Sequence, residues 1–152
     1  GEKDHPVILR VSINDSVSHL TKGVHWTEIL LLTNNSQKHY QTVHLMESLK
    51  GNFIFVSTQV LNELYVSLQK HNIDEIENKI KKIMSICNIS IPDLTTIKLC
   101  WKIRKKYAYS YWDSLILASA LENTCSILYT EDMQSGQIIE ERLKIINPYK
   151  QK

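Results

Sequence analysis

Apolar positions in this chain fall into two kinds of run. Some recur every three or four residues, as on one face of a helix; others are short and unbroken, as in a strand covered on both faces. VILRVSI, from Val7, mixes apolar and polar positions enough to predict a strand, and NDSVSHLTKG after it predicts a turn or short helix. Thr27–Leu32, TEILLL, is compact and apolar, and its period leaves buried strand and short helix both open. Thr33–Ser36 is a loop whose Ser36 can cap the next helix. Gln37–Lys50 carries Tyr40, Val43, Met46 and Leu49 at helical spacing and stops at Gly51-Asn52. Phe53–Val56 predicts a buried strand, and Thr58–Gln69 a helix with Val60, Leu61, Leu64, Tyr65 and Leu68 on one face. Asp74–Cys87 predicts another helix, through Ile76, Ile80, Ile83, Met84 and Cys87. Ser90-Ile91-Pro92-Asp93 has the form of a capping box with proline near the first turn, which starts a helix running to about Lys106. Tyr111–Asn123 is the next helix, Ser126–Tyr129 a buried strand and Leu143–Ile146 a last strand closed by Asn147-Pro148. Short apolar strands alternating with amphipathic helices predict an α/β domain with a small parallel sheet flanked by helices.

Composition narrows the class. A chain of 152 residues, 43% apolar and 22% charged, is long enough for one domain with a real core, and 3 prolines and 4 glycines exclude collagen-like and disordered classes. No apolar run reaches the roughly 18 residues of a membrane helix. GEKDHPVILR lacks a basic start followed by an apolar run, so no secretion signal is read and a cytoplasmic protein is expected. Cys87, Cys100 and Cys125 lie far apart without CxxC spacing, which suits reduced core residues. A net charge of +2 means that a nucleic-acid partner would have to meet a local basic patch.

Candidate chemistry lies in the acids. Ser110 to Asp113 is another capping-box pattern, so Asp113 can simply open a helix. Yet Asp113 shares its helical face with Ile116, Leu117 and Ala120, at offsets of three, four and seven residues, and that face is directed at the core. Glu63 lies at the edge of an apolar face beside Val60 and Leu64, as a border residue or a ligand at a cleft rim. Thr130, Glu131 and Asp132 come directly after a buried strand, and in parallel sheets ligands bind beyond the carboxyl ends of strands. A polar turn is the plainer alternative there. Carboxylates without histidine or cysteine partners favour hard cations, Mg²⁺ or Mn²⁺, and such ions support phosphoryl chemistry. The histidines form no rival site: His39 and His44, five apart, face different sides of a helix. Lys98, Lys102, Arg104, Lys105 and Lys106, with Trp101, Tyr107 and Tyr109 among them, suit either a solvated helix end or a phosphate backbone.

FVSTQVLNELYVSL, YSYWDSLILASALENTCSILYTEDMQSGQIIE and RLKIINPY together resemble the PIN-domain proteins of the VapC toxin type, over about Trp26 to Tyr149. The resemblance implies a three-layer α/β fold, a Mg²⁺- or Mn²⁺-dependent ribonuclease acting on RNA, a homodimer, and a cognate antitoxin that holds the toxin inactive. It carries the catalytic and metal-binding positions onto Glu63, Asp113 and Asp132, with Ser57, Thr130 and Glu131 as supporting groups; Arg104, Lys105 and Lys106 remain candidates for RNA contact. It divides the chain into residues 1–23, a divergent extension or first strand, and a PIN-like domain over 24–152. One departure stands out. Where the family pattern opens with a strand ending in aspartate, as in D-T-N-I-L, this chain has Trp26-Thr27-Glu28-Ile29-Leu30. Glu28 and Asp15 are the nearest candidates for the missing acid, and a catalytically impaired domain acting as a binding module is the alternative function.

Overall fold

The computed structural model describes residues 6–10, 41, 44, 45, 47–49 and 51–149. Its first strand, β1, is Val7–Leu9, and all three residues are buried. β1 pairs in parallel along both edges, with β2 (Ile54–Ser57) and with β4 (Ile127–Tyr129), and lies inside the sheet where both of its faces are covered. A strand covered on both faces has no solvent side on which to place alternating polar residues. Beyond β2 lies β3 (Asn88–Ser90), and beyond β4 lie β6 (Leu143–Ile146) and β5 (Ile138–Ile139), giving the order β3-β2-β1-β4-β6-β5. Among the described residues every pairing is parallel except β5 with β6. Among the described residues four complete helices flank the sheet, α1 (Thr58–Lys70), α2 (Ile76–Ile86), α3 (Leu94–Tyr107) and α4 (Tyr111–Glu122). Residues 41, 44, 45, 47 and 48 are helical too, within the span where a helix is expected over Gln37–Lys50. The expected α/β architecture with a small parallel sheet is therefore present, with one antiparallel edge strand added.

β2 passes into α1 without a loop. Ser57 ends the strand and caps the helix, its Oγ accepting from the backbone N–H of Gln59 at 3.1 Å. Val60, Leu64 and Leu68 of α1 face the core at helical spacing. α4 differs in kind: Ser114 through Leu121 are all buried, so the helix is enclosed on every side. Its capping residue is Ser110, whose Oγ accepts from the backbone N–H of Asp113 at 3.2 Å.

The cap expected at Ser90 sits three residues later. Ser90 ends β3 and its hydroxyl accepts from Asn123 Nδ2 at 2.8 Å. The reciprocal box is made by Asp93 and Thr96 instead: Thr96 N–H donates to Asp93 Oδ1 at 3.1 Å and Asp93 N–H to Thr96 Oγ1 at 3.0 Å. Pro92 explains the shift, because the residue before a proline is driven toward extended backbone, which keeps Ile91 out of the helix. The helix expected from Asp74 begins at Ile76, after Glu75 in the left-handed region at φ 55°. Both unforeseen strands, β3 and β5, are three residues or fewer, too short to carry a period. Among the described residues no helix is long and apolar enough to cross a membrane.

Candidate functional site

Parallel pairing brings the carboxyl ends of β1, β2 and β4 to one edge of the sheet. The pairs Leu9–Val56 and Leu9–Tyr129 are the last of their ladders. One residue further on are Arg10, Ser57 and Thr130, side by side. Arg10 is fixed there by its backbone N–H, which donates to Tyr129 O at 3.0 Å. Its side chain, 10% exposed, meets both sequence-predicted acids that project from the adjoining helices.

The contacts make a fork. Nη2 of Arg10 donates to Glu63 Oε2 at 3.1 Å and Nε to Glu63 Oε1 at 3.4 Å, a two-pronged pairing that matches the flat guanidinium to the flat carboxylate. Nη1 donates to Asp113 Oδ1. Glu63 comes from α1 and Asp113 from the first turn of α4, so one side chain ties a central strand to two helices. Gln59 adds a second tie: its Nε2 donates to Glu63 Oε2 at 3.2 Å and to the backbone oxygen of Trp112 at 3.0 Å. Burial works against the charge on Arg10, but the hydrogen bond to Asp113 and the field of Glu63 outweigh it, and its pKa rises above the ordinary value.

The other expected positions are placed less closely. Thr130 is buried, and its Oγ1 accepts from the backbone N–H of Asp132 at 3.2 Å, which turns the chain sharply after β4. Asp132 is exposed and Glu131 half-buried. Among the described residues no three histidine, cysteine, aspartate or glutamate side chains converge closely enough to hold a metal ion. Glu63 and Asp113 are thus brought together through Arg10, and Asp132 is not gathered with them into a three-ligand group. Trp26, Glu28 and Asp15 lie outside the described residues. Ser57 serves as the helix cap of α1. Of the basic cluster, Arg104 and Lys105 are exposed, whereas Lys106 Nζ lies 2.6 Å from Glu140 Oε2. Tyr107 and Tyr109 spend their hydroxyls on the β5 segment, donating to Glu140 at 2.9 Å and to Gln137.

A family model described as the PIN domain matches residues 27–137, well over half of the chain. The chain belongs to the PIN domain family. Among solved structures it is similar to VapBC2 from Rickettsia felis bound to a promoter DNA fragment, at 18% identity and a TM-score of 0.60, covering 93% of this chain and 99% of that one. It is also similar to VapC20 from Mycobacterium tuberculosis, a toxin that cleaves the sarcin–ricin loop, at 14% identity and a TM-score of 0.59, covering 83% and 89%. No curated protein matches in sequence at the level required of a relative.

PIN-domain nucleases generally use divalent ions, so the donors in this PIN domain can be tested against one. A hard cation needs several oxygen ligands with open lone pairs. Here both oxygens of Glu63 and one of Asp113 already receive N–H donors from Arg10, and Glu63 takes another from Gln59. The guanidinium cannot give up its charge near neutral pH. The donor set as arranged does not fit a divalent ion. Arg10 is the residue that acid-directed reading of the sequence passed over. Its signal was present: a basic residue directly after the apolar triplet Val7–Leu9, at the carboxyl end of a strand.

The cysteines take no part. All three are free; burial pushes the thiol of Cys87 up to about 11 and that of Cys125 up to about 12. Cys100 lies against α4, where burial raises it too.

Proposed function

We propose that this chain is the toxin-type partner of a toxin–antitoxin pair: a cytoplasmic PIN domain, β1 included, that binds RNA at the carboxyl edge of its sheet without hydrolysing it. A cognate antitoxin is its protein partner and a second copy its homodimer partner. The observation that carries this reading is the joining of Glu63 and Asp113, from two helices, through a guanidinium that neutralises one of their two charges. The acid positions of a nuclease are kept, and the free ligand atoms that Mg²⁺ or Mn²⁺ would need are taken. RNA is the ligand class because the chain belongs to the PIN domain family and shares its fold with a toxin that cleaves the sarcin–ricin loop. The exposed residues Lys98, Trp101, Lys102, Arg104 and Lys105 of α3 supply cations and a stacking surface for a phosphate backbone.

The second reading is a metal-dependent ribonuclease. The meeting of Glu63 from α1 and Asp113 from the first turn of α4 beside the carboxyl edge of the sheet, with Asp132 exposed beyond β4, favours it. In that version the three carboxylates would hold Mg²⁺ or Mn²⁺, which would supply an activated water, while Ser57, Thr130 and Glu131 support the loops that carry them. One experiment separates the two. Fluorescence anisotropy with a labelled stem-loop RNA should give salt-dependent binding in EDTA, and addition of Mn²⁺ should produce no cleavage beyond that of Asp113→Asn. Cleavage that vanishes in Asp113→Asn transfers the conclusion to the ribonuclease; absence of both binding and cleavage removes RNA as the ligand.

A further inference from the structure

We propose that the Arg10 guanidinium is the resident cation of this acid site, a tethered replacement for a divalent ion that holds Glu63 and Asp113 together and excludes the ion. The inference rests on reading those two residues as the acid site, and RNA binding enters none of its steps. Four observations carry it. Arg10 is not a surface residue that has swung inward: it stands at the end of the central strand, with its backbone hydrogen-bonded to β4. Its side chain reaches both carboxylates at once, with a two-pronged fork on one of them. The two acids come from different helices and are 50 positions apart in sequence, Glu63 against Asp113, so nothing local requires them to meet. No third histidine, cysteine or acid among the described residues joins them to complete a metal site.

The physical consequence is a competition. Two carboxylates held close repel each other unless a cation lies between them. A divalent ion would have to displace a guanidinium that is covalently part of the chain and stays charged near neutral pH. Because ligand charge largely sets affinity for hard cations, removing Arg10 should convert the pair from a closed ion cluster into an open anionic one. Replacing it by aspartate adds a third carboxylate at a strand end.

Thermal unfolding with MnCl₂ titrated against the purified full chain tests this. Wild type should show no saturable change in Tm. Arg10→Gln should unfold at lower temperature and recover part of the loss as Mn²⁺ is added. Arg10→Asp should respond most, by about 5–10 °C at a hundredfold excess of ion over its Kd. Arg10→Lys, which keeps a charge at this position, should stay unresponsive, and Arg10→Gln combined with Glu63→Gln should lose the response. A saturable Mn²⁺ shift in wild type that disappears in Asp113→Asn overturns the proposal, as does a folded Arg10→Gln and Arg10→Asp pair with no response. Should both single variants fail to fold, recovery of folding in Arg10→Gln/Glu63→Gln supports charge balance as the cause, and no recovery overturns it. Loss of RNA binding alone would leave these results unchanged, so the two readings fail separately.

Discussion

Arg10 meets two carboxylates across the fold and Lys106 one, and distance alone does not separate them: Lys106 lies 2.6 Å from Glu140, inside the 3.1 Å of Arg10 with Glu63, while Arg10 also holds Asp113. Their settings are opposite. Arg10 is 10% exposed between partners 36% and 21% exposed, whereas Lys106 is 62% exposed beside a Glu140 at 32%. Water screens the Lys106 pair, and a compact ammonium imposes no direction on it. Around Arg10 the solvent is mostly gone, the donors are fixed in a plane, and removal of the cation would strand two like charges. Burial and donor geometry, more than separation, decide which ion pair holds a structure together.

The largest effect that can break this contrast is Arg10→Gln. It leaves Glu63 and Asp113 facing each other with one donor group too few, and it should cost about 2–4 kcal/mol in chemical denaturation. A loss below about 1 kcal/mol would place the cluster in the same class as an exposed pair. Next in size is the coupling itself. A double-mutant cycle of Arg10→Gln with Asp113→Asn should give an interaction energy of about 1–3 kcal/mol, because the second change relieves the charge stranded by the first. Additive losses would mean that the short contact between Arg10 and Asp113 is geometric proximity without energetic consequence.

Both clusters also mark how far the sequence could be read. α1 was legible because its apolar positions repeat at helical spacing, as Val60, Leu64 and Leu68 do; α4, β4 and β6 were legible as apolar runs bounded by a cap or by polar turns. The capping pattern at Ser90 was ambiguous, since Ser90 and Asp93 are both good caps and only the extended backbone before Pro92 selects the second. Glu63 and Asp113 were legible as acids on or beside core-facing stripes. Their partner was not, because Arg10 is 53 residues from one and 103 from the other. Such a cluster exists only once β1 is threaded between β2 and β4, and local pattern carries no trace of that order. The resemblance to the PIN family pointed to a missing acid near Trp26, outside the described residues; the described site closes with a cation after Val7–Leu9 instead.

At the Lys106 cluster the phenol should matter more than the ammonium. Tyr107 Oη donates to Glu140 Oε2 at 2.9 Å and accepts from Glu140 N–H at 2.8 Å, so it fixes both ends of the residue that opens the β5–β6 turn. Glu140 and the next residue, Glu141, have φ of 50° and 62°, backbone that only a held turn sustains without glycine. Tyr107→Phe should therefore cost about 1 kcal/mol, measured by denaturation at neutral pH. An unchanged midpoint would show that the turn holds itself.

Lys106→Met is the smallest change and the finest test of the contrast. Its hydrogen bond to Glu140, with that of Tyr107 second in weight, holds the Glu140 carboxyl below the ordinary value of 4.5. A depressed carboxyl contributes stability that is present above its unfolded pKa and is lost as pH falls through the lower folded one. That contribution is therefore present at neutral pH and is lost as pH falls below about 4.5, so the neutral-pH midpoint of Lys106→Met should lie slightly below that of wild type, and the two should converge in acid. What should move is the titration of Glu140 itself, upward toward 4.5, tracked through its carboxyl carbon by NMR. The same experiment in high salt should shrink the difference between Lys106→Met and wild type, because the pair is exposed and its field is screened. Arg10 should respond less: salt should reduce the penalty of Arg10→Gln by a smaller fraction, since the guanidinium is 10% exposed even though Glu63 still meets solvent. An Arg10 penalty as salt-sensitive as that of Lys106 would place solvent inside the cluster and remove the distinction between the two pairs.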